Sequence, residues 1–375
     1  MKYLVGRLKN QNTKMCGGFG TLTLMASLMA LTSVGCGSNN ATFSMLNQSQ
    51  AFQQAAATSN NKIDILWVVD NSGSMDPLQA SLVTNFNTFI SNFETKGFDF
   101  KMAVTTTDAY LADPTYDNTP SLAKFRDGSG GVHTTYFYIT QLIPNIVTNF
   151  VKNATQGSNG SGDERAYQSM FQSMNSNLNA GFRRAGAFFA VIILSDEDDF
   201  TDYSRPEVSW LSGGVPDHDY SDPNLIPVSQ VKAQLDTMTN STASVPTYNV
   251  SAITVLDSTC AASHAAESPS TIVGQRYIDL VNSTNGILGS VCDASFATSL
   301  GFIQERIVEL TTAFALSIVP DTTTITVSVN GTNVAQNSTN GWSYDSTTNS
   351  IMFHGTAVPP ANAAIAINFT PAHLL

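Results

Sequence analysis

The apolar and polar positions along the chain fall into stretches of different period. Residues 63–69 (IDILWVV) are a short, nearly continuous apolar run rich in branched and aromatic side chains, which predicts a central parallel strand covered on both faces. Leu78, Leu82, Val83, Phe86, Phe89, Ile90 and Phe93 then recur at helical spacing over 77–95. Asp76 is placed to cap that helix, Pro77 suits its first turn, and Gly97 ends it. Further on, the same reading predicts a strand at 98–104, a weaker one within 132–140, a helix at 141–153 and a helix from Asp163 to about Leu178. A strand at 188–194, a helix at 229–238, a strand at 247–256, a helix at 272–284, a strand at 287–291 and a helix at 295–314 follow. Strands alternating with helices predict an α/β fold built on a doubly wound, mostly parallel sheet over residues 61–316.

From residue 317 the period shortens. TITVSVNG, GWSYD, SIMFHG and AIAINF alternate within short strands, and Asn330-Gly331 and Asn340-Gly341 are hairpin-type turns. Residues 317–375 therefore read as a small antiparallel β-domain with a packing role. At the other end, residues 37–60 are rich in Ser, Asn, Gln and Ala and read as a tether, with a short helix possible at 50–57. Residues 200–228 form a long insertion, of the kind that carries function in a compact domain.

Residues 1–36 read as an export signal. Lys2, Arg7, Lys9 and Lys14 form a basic start, and 21–31 is an apolar core too short to span a bilayer. The closing Thr32-Ser33-Val34-Gly35-Cys36 resembles a bacterial lipoprotein cleavage box, with Cys36 as the lipid acceptor, although Ser33 stands where Leu is usual. Gly37 after the Cys implies the outer membrane under that family's sorting rule; an ordinary secretory signal is the alternative. Four cysteines are present. Cys16 leaves with the signal and Cys36 takes lipid, so Cys260 and Cys292 remain as an even pair for a disulfide in an oxidising compartment. Two free buried thiols are the other reading.

Charge narrows the partners. Only 12% of residues are charged, and the net charge is −12 before the basic signal is removed. Phosphate binding needs clustered Lys and Arg, so nucleic acid is excluded as a partner.

The candidate chemistry lies where the first strand ends. Asp70, Ser72 and Ser74 alternate, and Gly73 lets the backbone curl so that their oxygens face one point, an arrangement suited to a hard cation. This D-x-S-x-S after an apolar strand resembles the metal-ion-dependent adhesion site of von Willebrand factor A domains, over roughly residues 61–315. The resemblance implies the strand order 3-2-1-4-5-6, which sets the first strand beside the fourth and Asp70 beside Asp196 at the fourth strand's end. It puts Ser161 where the family has a ligating Thr, with Glu164 competing for that role. It implies Mg²⁺, or Mn²⁺ or Ca²⁺, held by Asp70, Ser72, Ser74, Ser161 and Asp196, and a protein partner that offers an Asp or Glu carboxylate to the ion. Asp108, Asp198, Asp199 and Asp202, together with Asp217, Asp219 and Asp222, crowd the same rim. Their spacing fits no EF-hand, so they read as solvated loop acids rather than a second Ca²⁺ site.

The expected function is that of a non-enzymatic adhesion or protein-binding lipoprotein of the outer membrane, anchored through its lipid. The alternatives are a structural or assembly component of the envelope and a metal-dependent hydrolase. His133, His218, His264, His354 and His373 are scattered, with neither H-E-x-x-H nor G-x-S-x-G spacing, which argues against the hydrolase.

Overall fold

Seven of the eight residues of the first central strand, Ile63 to Val69, are buried, and only Lys62 at its start is exposed. In the computed structural model this strand, β1 (Lys62–Val69), is one of six. The others are β2 (Asp99–Thr106), β3 (Tyr138–Thr140), β4 (Phe188–Leu194), β5 (Tyr248–Thr254) and β6 (Leu288–Ser290). Their order across the sheet is β6-β5-β4-β1-β2-β3, or 3-2-1-4-5-6 read from the other edge. All pairings are parallel except β2 with β3. The architecture is therefore mixed α/β with a mostly parallel sheet. The structure describes residues 52–53, 57–58, 60–129, 132–202, 219–243, 245–265 and 271–372. The signal segment, Cys36, the first part of the tether, Asp217, His218 and His373 lie outside them.

The helices are α1 (Asp76–Thr95), α2 (Ile146–Ala154), α3 (Ala166–Asn175), α4 (Val228–Thr239), α5 (Ser258–His264), α6 (Gln275–Ser283) and α7 (Ala297–Thr311). Successive strand residues face opposite sides of a sheet. Ile63, Ile65, Trp67 and Val69 accordingly join one apolar cluster with side chains of α1, α2 and α7. Leu66 and Val68 join a second with α3, α4 and α6. Trp67 meets Phe89 edge-on at 5.1 Å, and Phe86 stacks on Phe150 at 3.6 Å, so aromatic contacts lock α1 and α2 to the sheet.

Several boundaries differ from the sequence reading. The strand sought within 132–140 is confined to β3, because Val132–His133 pairs instead with Gly128–Ser129. The helix expected from Asp163 starts only at Ala166, since Asp163 and Arg165 are held in a buried ion pair with no side-chain exposure. Asp76 is the first helical residue of α1 rather than its cap. Gly97 does end α1, with φ +70. The short helix α5 has no counterpart in the expectation; Asp257 caps it by accepting from Thr259 and Cys260 N–H groups.

The C-terminal strands are β7 (Thr326–Val329), β8 (Thr332–Val334), β9 (Trp342–Asp345), β10 (Ser350–Phe353) and β11 (Ala364–Phe369). They lie in two antiparallel sheets, one joining β11, β7 and β8, the other β10 and β9. Residues 49–375 form one compact unit. Val327, Ile351, Phe353 and Ile367 share an apolar cluster with Trp67 and α7, so no break in packing marks residue 317. His354 adds a polar link, with Nδ1 2.7 Å from Glu309 of α7 and Nε2 2.7 Å from the Ser343 hydroxyl. Phe314, expected to end the last helix, instead pairs with β10 together with Ala315.

Part of the tether reading is corrected. Phe52–Gln53 and Ala57–Thr58 pair antiparallel with β11, so these residues supply strands to the C-terminal sheet where a short helix is expected over 50–57. The open edge of β11 offers unpaired backbone groups, and strand pairing satisfies them. Cys260 and Cys292 form a disulfide, with Cα atoms 5.8 Å apart. Among the described residues no helix is long and apolar enough to cross a membrane.

Candidate functional site

β1 and β4 end together. Val69 is in register with Leu194, and the Asp70 N–H donates to the Leu194 carbonyl at 2.9 Å. Ligand crevices in open α/β sheets form at the carboxyl ends of strands where the strand order reverses, and β1/β4 is that point here. Asp70 and Asp196 therefore reach the same rim, both almost fully buried. The Ser72 N–H donates to Asp70 Oδ1 at 2.8 Å and the Ser195 hydroxyl donates to Oδ2 at 2.6 Å. The Ser74 hydroxyl donates to Asp196 Oδ1 at 3.1 Å.

A third loop closes against these two. The Gly160 N–H donates to the Asn71 carbonyl at 2.7 Å. A Cβ at Gly160 would fall 2.3 Å from the Asn71 amide, so only glycine permits this approach. Gln79 of α1 clamps both loops. Its Nε2 donates to the carbonyls of Asp70 and Gly157, each at 2.9 Å, and its Oε1 accepts from the N–H groups of Gln156 (2.8 Å) and Gly157 (3.1 Å). Gln79→Leu keeps the volume but removes all four bonds. It is expected to destabilise the fold by roughly 2–4 kcal/mol, because buried backbone groups lose their partners; urea denaturation measures this.

The loop's own polar residues divide. The Ser161 hydroxyl lies 3.3 Å from the Tyr110 hydroxyl and accepts from the Asp163 N–H at 3.1 Å. Glu164 is fully buried, and neither carboxylate oxygen has a hydrogen-bond partner. Burial, then the charges of Glu197, Asp70, Asp163 and Asp196, hold its carboxyl well above the usual range. Ser72 Oγ, Asn71 Oδ1 and Thr107 Oγ1 are likewise buried without partners. Burial, followed by the charge of Asp196, pushes Asp70 up to about 7. Burial also raises Asp196. The rim is thus a pocket of carboxyl groups that resist ionisation together.

Arg126 is one nearby cation. It pairs with Asp108 at 2.7 Å, and Asp108 accepts from the Asn71 amide at 3.0 Å. Gln79, Asn71, Arg126 and Glu197 were not singled out from sequence. Asn71 and Glu197 adjoin the named acids Asp70 and Asp196, whereas Gln79 and Arg126 carried no local signal.

The expectation of solvated rim acids is corrected for Asp108, Asp198, Asp199 and Asp202, which are buried. Asp198 accepts from the Arg276 N–H in the first turn of α6, and Asp199 accepts from the Tyr167 N–H in the first turn of α3. Carboxylates at those positions satisfy orphan helix donors. Asp219 is exposed and accepts from Ser221.

The expected Mg²⁺, Mn²⁺ or Ca²⁺ is corrected as well. Among the described residues no group of three or more His, Cys, Asp or Glu is disposed to hold a metal ion. The bonding shows why. Both Asp70 oxygens and Asp196 Oδ1 are engaged by serine and backbone donors of the rim itself.

No family model matches this chain, and no curated protein matches it. Among solved structures it is similar to the pilus adhesin SpaC from Lactobacillus rhamnosus GG in its open conformation, at 12% identity and a TM-score of 0.41, over 83% of this chain and 39% of that one. It is also similar to proximal thread matrix protein 1 from the mussel byssus, at 11% identity and a TM-score of 0.35, over 71% of this chain and 52% of that one. The chain thus spans two fifths to one half of the length of these structures.

Proposed function

We propose that this chain is an exported, non-enzymatic binding protein of the adhesin kind, which takes its partner at the rim where β1 and β4 end. The observation that carries the reading is the meeting of three polar loops at the reversal of strand order, clamped by Gln79 and lined by buried oxygens without partners. Buried polar atoms without partners at the switch point of the sheet favour a ligand site there. The strand order and the Asp70-x-Ser72-x-Ser74 turn support a von Willebrand factor A-like reading of residues 61–316. The serine hydroxyls donate to the carboxyl groups and serve as framework, which favours binding over nucleophilic chemistry. The export signal and Cys36 support an outer-membrane lipoprotein. An assembly role in the envelope uses the same rim and differs only in how long the partner stays.

Ser74→Lys tests this at the mouth of the crevice, where Ser74 is half-buried. Retention of envelope proteins on immobilised protein is expected to fall roughly tenfold or more, as a lysine fills the mouth and pairs with Asp196. Thr356→Lys, on the exposed C-terminal face, is expected to leave retention unchanged. Equal retention by Ser74→Lys and the unaltered chain sinks the proposal.

A further inference from the structure

At the other end of the sheet, where β4 and β5 begin, lies a cavity of about 540 Å³. Its lining includes the polar Asn175, Arg183 and Thr247 and the apolar Met174, Met238 and Leu310. Among the described residues no Asp or Glu lines it, in a chain where acids outnumber Lys and Arg by 29 to 17.

The two arginines at its edge contrast sharply. Arg184 is saturated: Nε donates to Asp64 at 2.8 Å, Nη1 to Asp99 at 2.5 Å, and Nη2 to the Ile63 and Asp99 carbonyls. Arg183 is not. Its Nη1 is buried with no hydrogen-bond partner, and its guanidinium lies over the Phe189 ring at 4.4 Å. Burial lowers its pKa, with Asp64 acting in the opposite sense; an arginine nonetheless stays charged in proteins. Arg183 is half-buried in the cavity wall, where no acid among the described residues pairs with it. β4 puts the acidic rim roughly 20 Å away at about 3.3 Å per residue, beyond the screening length of about 8 Å at physiological salt.

We propose that this cavity is a binding site for an organic anion with an apolar body, whose carboxylate pairs with Arg183 while its hydrocarbon part lies against Met174, Met238 and Leu310. The planar fork of arginine matches a carboxylate in a bidentate pair. The volume suits a small organic acid or the carboxyl end of an apolar peptide. Both sources present the same group.

Calorimetric titration of the full chain with hexanoate tests the site, with hexan-1-ol as the uncharged control. Hexanoate is expected to bind, and Arg183→Gln and the swap to hexanol are each expected to weaken binding roughly tenfold or more. Met238→Trp fills the apolar side without touching the charge and is expected to abolish binding, which keeps the test decisive if Arg183→Gln unfolds. An apolar tetrapeptide with a free carboxyl end, set against its amide, separates the sources: tighter binding than hexanoate assigns a chain terminus, weaker binding a free acid. Equal binding of hexanoate and hexanol, full binding by Arg183→Gln, or no heat with hexanoate up to about 50 mM overturns the proposal.

Discussion

Arg165→Ala is expected to destabilise the protein by about 3–5 kcal/mol, the range for breaking a buried ion pair by removing one partner. Arg165 and Asp163 have no side-chain exposure and pair at 2.7 Å. Nη1 also donates to the Tyr116 hydroxyl at 3.1 Å and to the Asp202 carbonyl at 2.8 Å. The Tyr110 and Tyr116 rings flank the guanidinium at 4.9 and 5.1 Å. Alanine would leave Asp163 buried without the Arg165 guanidinium. The doubly changed chain Asp163→Leu, Arg165→Met should recover a large part of the loss, since an apolar pair carries no such penalty. Urea unfolding of the three proteins gives the answer, and a double variant no better than Arg165→Ala would show that packing, not charge, sets the cost. Glu164 lies between the two partners, so the same change should loosen the rim and weaken partner capture.

Stability is expected to fall as pH rises from about 4.5 to 8, opposite to the usual acid lability of paired carboxylates. Burial pushes Asp70 and Asp198 from an ordinary 3.8 up to about 7. Asp196, Asp199 and Glu164 are raised too, again chiefly by burial. An acid whose folded pKa is raised holds its proton more tightly when folded. Its contribution is complete below the unfolded pKa and is lost as pH climbs through the folded one. For Asp198 alone the linkage is on the order of 4 kcal/mol. Groups of both signs face these carboxyls, among them Arg276 beside Asp198 and Asp199, and Glu197 beside Glu164. Calorimetry should show Tm dropping by roughly 5–15 °C across this range. Asp70→Asn keeps the acceptor for the Ser72 N–H and removes one charge. It should flatten the drop and raise Tm at pH 8; an unchanged pH profile would refute the account.

The central sheet was legible because its main strands are short, nearly continuous apolar runs. Ile63 to Val69 and Phe188 to Leu194 announce themselves, and in the structure they are neighbours in register. Asp70, Ser72, Ser74 and Asp196 were legible for the same reason, as polar residues where those runs stop. The clamp by Gln79 was not, because a glutamine in an amphipathic helix looks like any surface residue until its partners arrive from residues 156 and 157. Asp198 and Asp199 read as surface acids because sequence shows their charge and hides the helix ends they cap. The strands near residues 52 and 57 were missed since their pairing partner lies some 300 residues away, and two-residue segments carry no period of their own.

That last pairing bears on how the molecule is taken apart. Phe52 is matched with Phe369 and Ala57 with Ile365, so one C-terminal ribbon fastens the segment before the central sheet. Cutting the protein short before Ala364 removes more than a strand, because Phe52–Gln53 and Ala57–Thr58 then lose the strand they pair with. In a version shortened to simplify handling, mild proteolysis should clip first near Phe52 and Thr58.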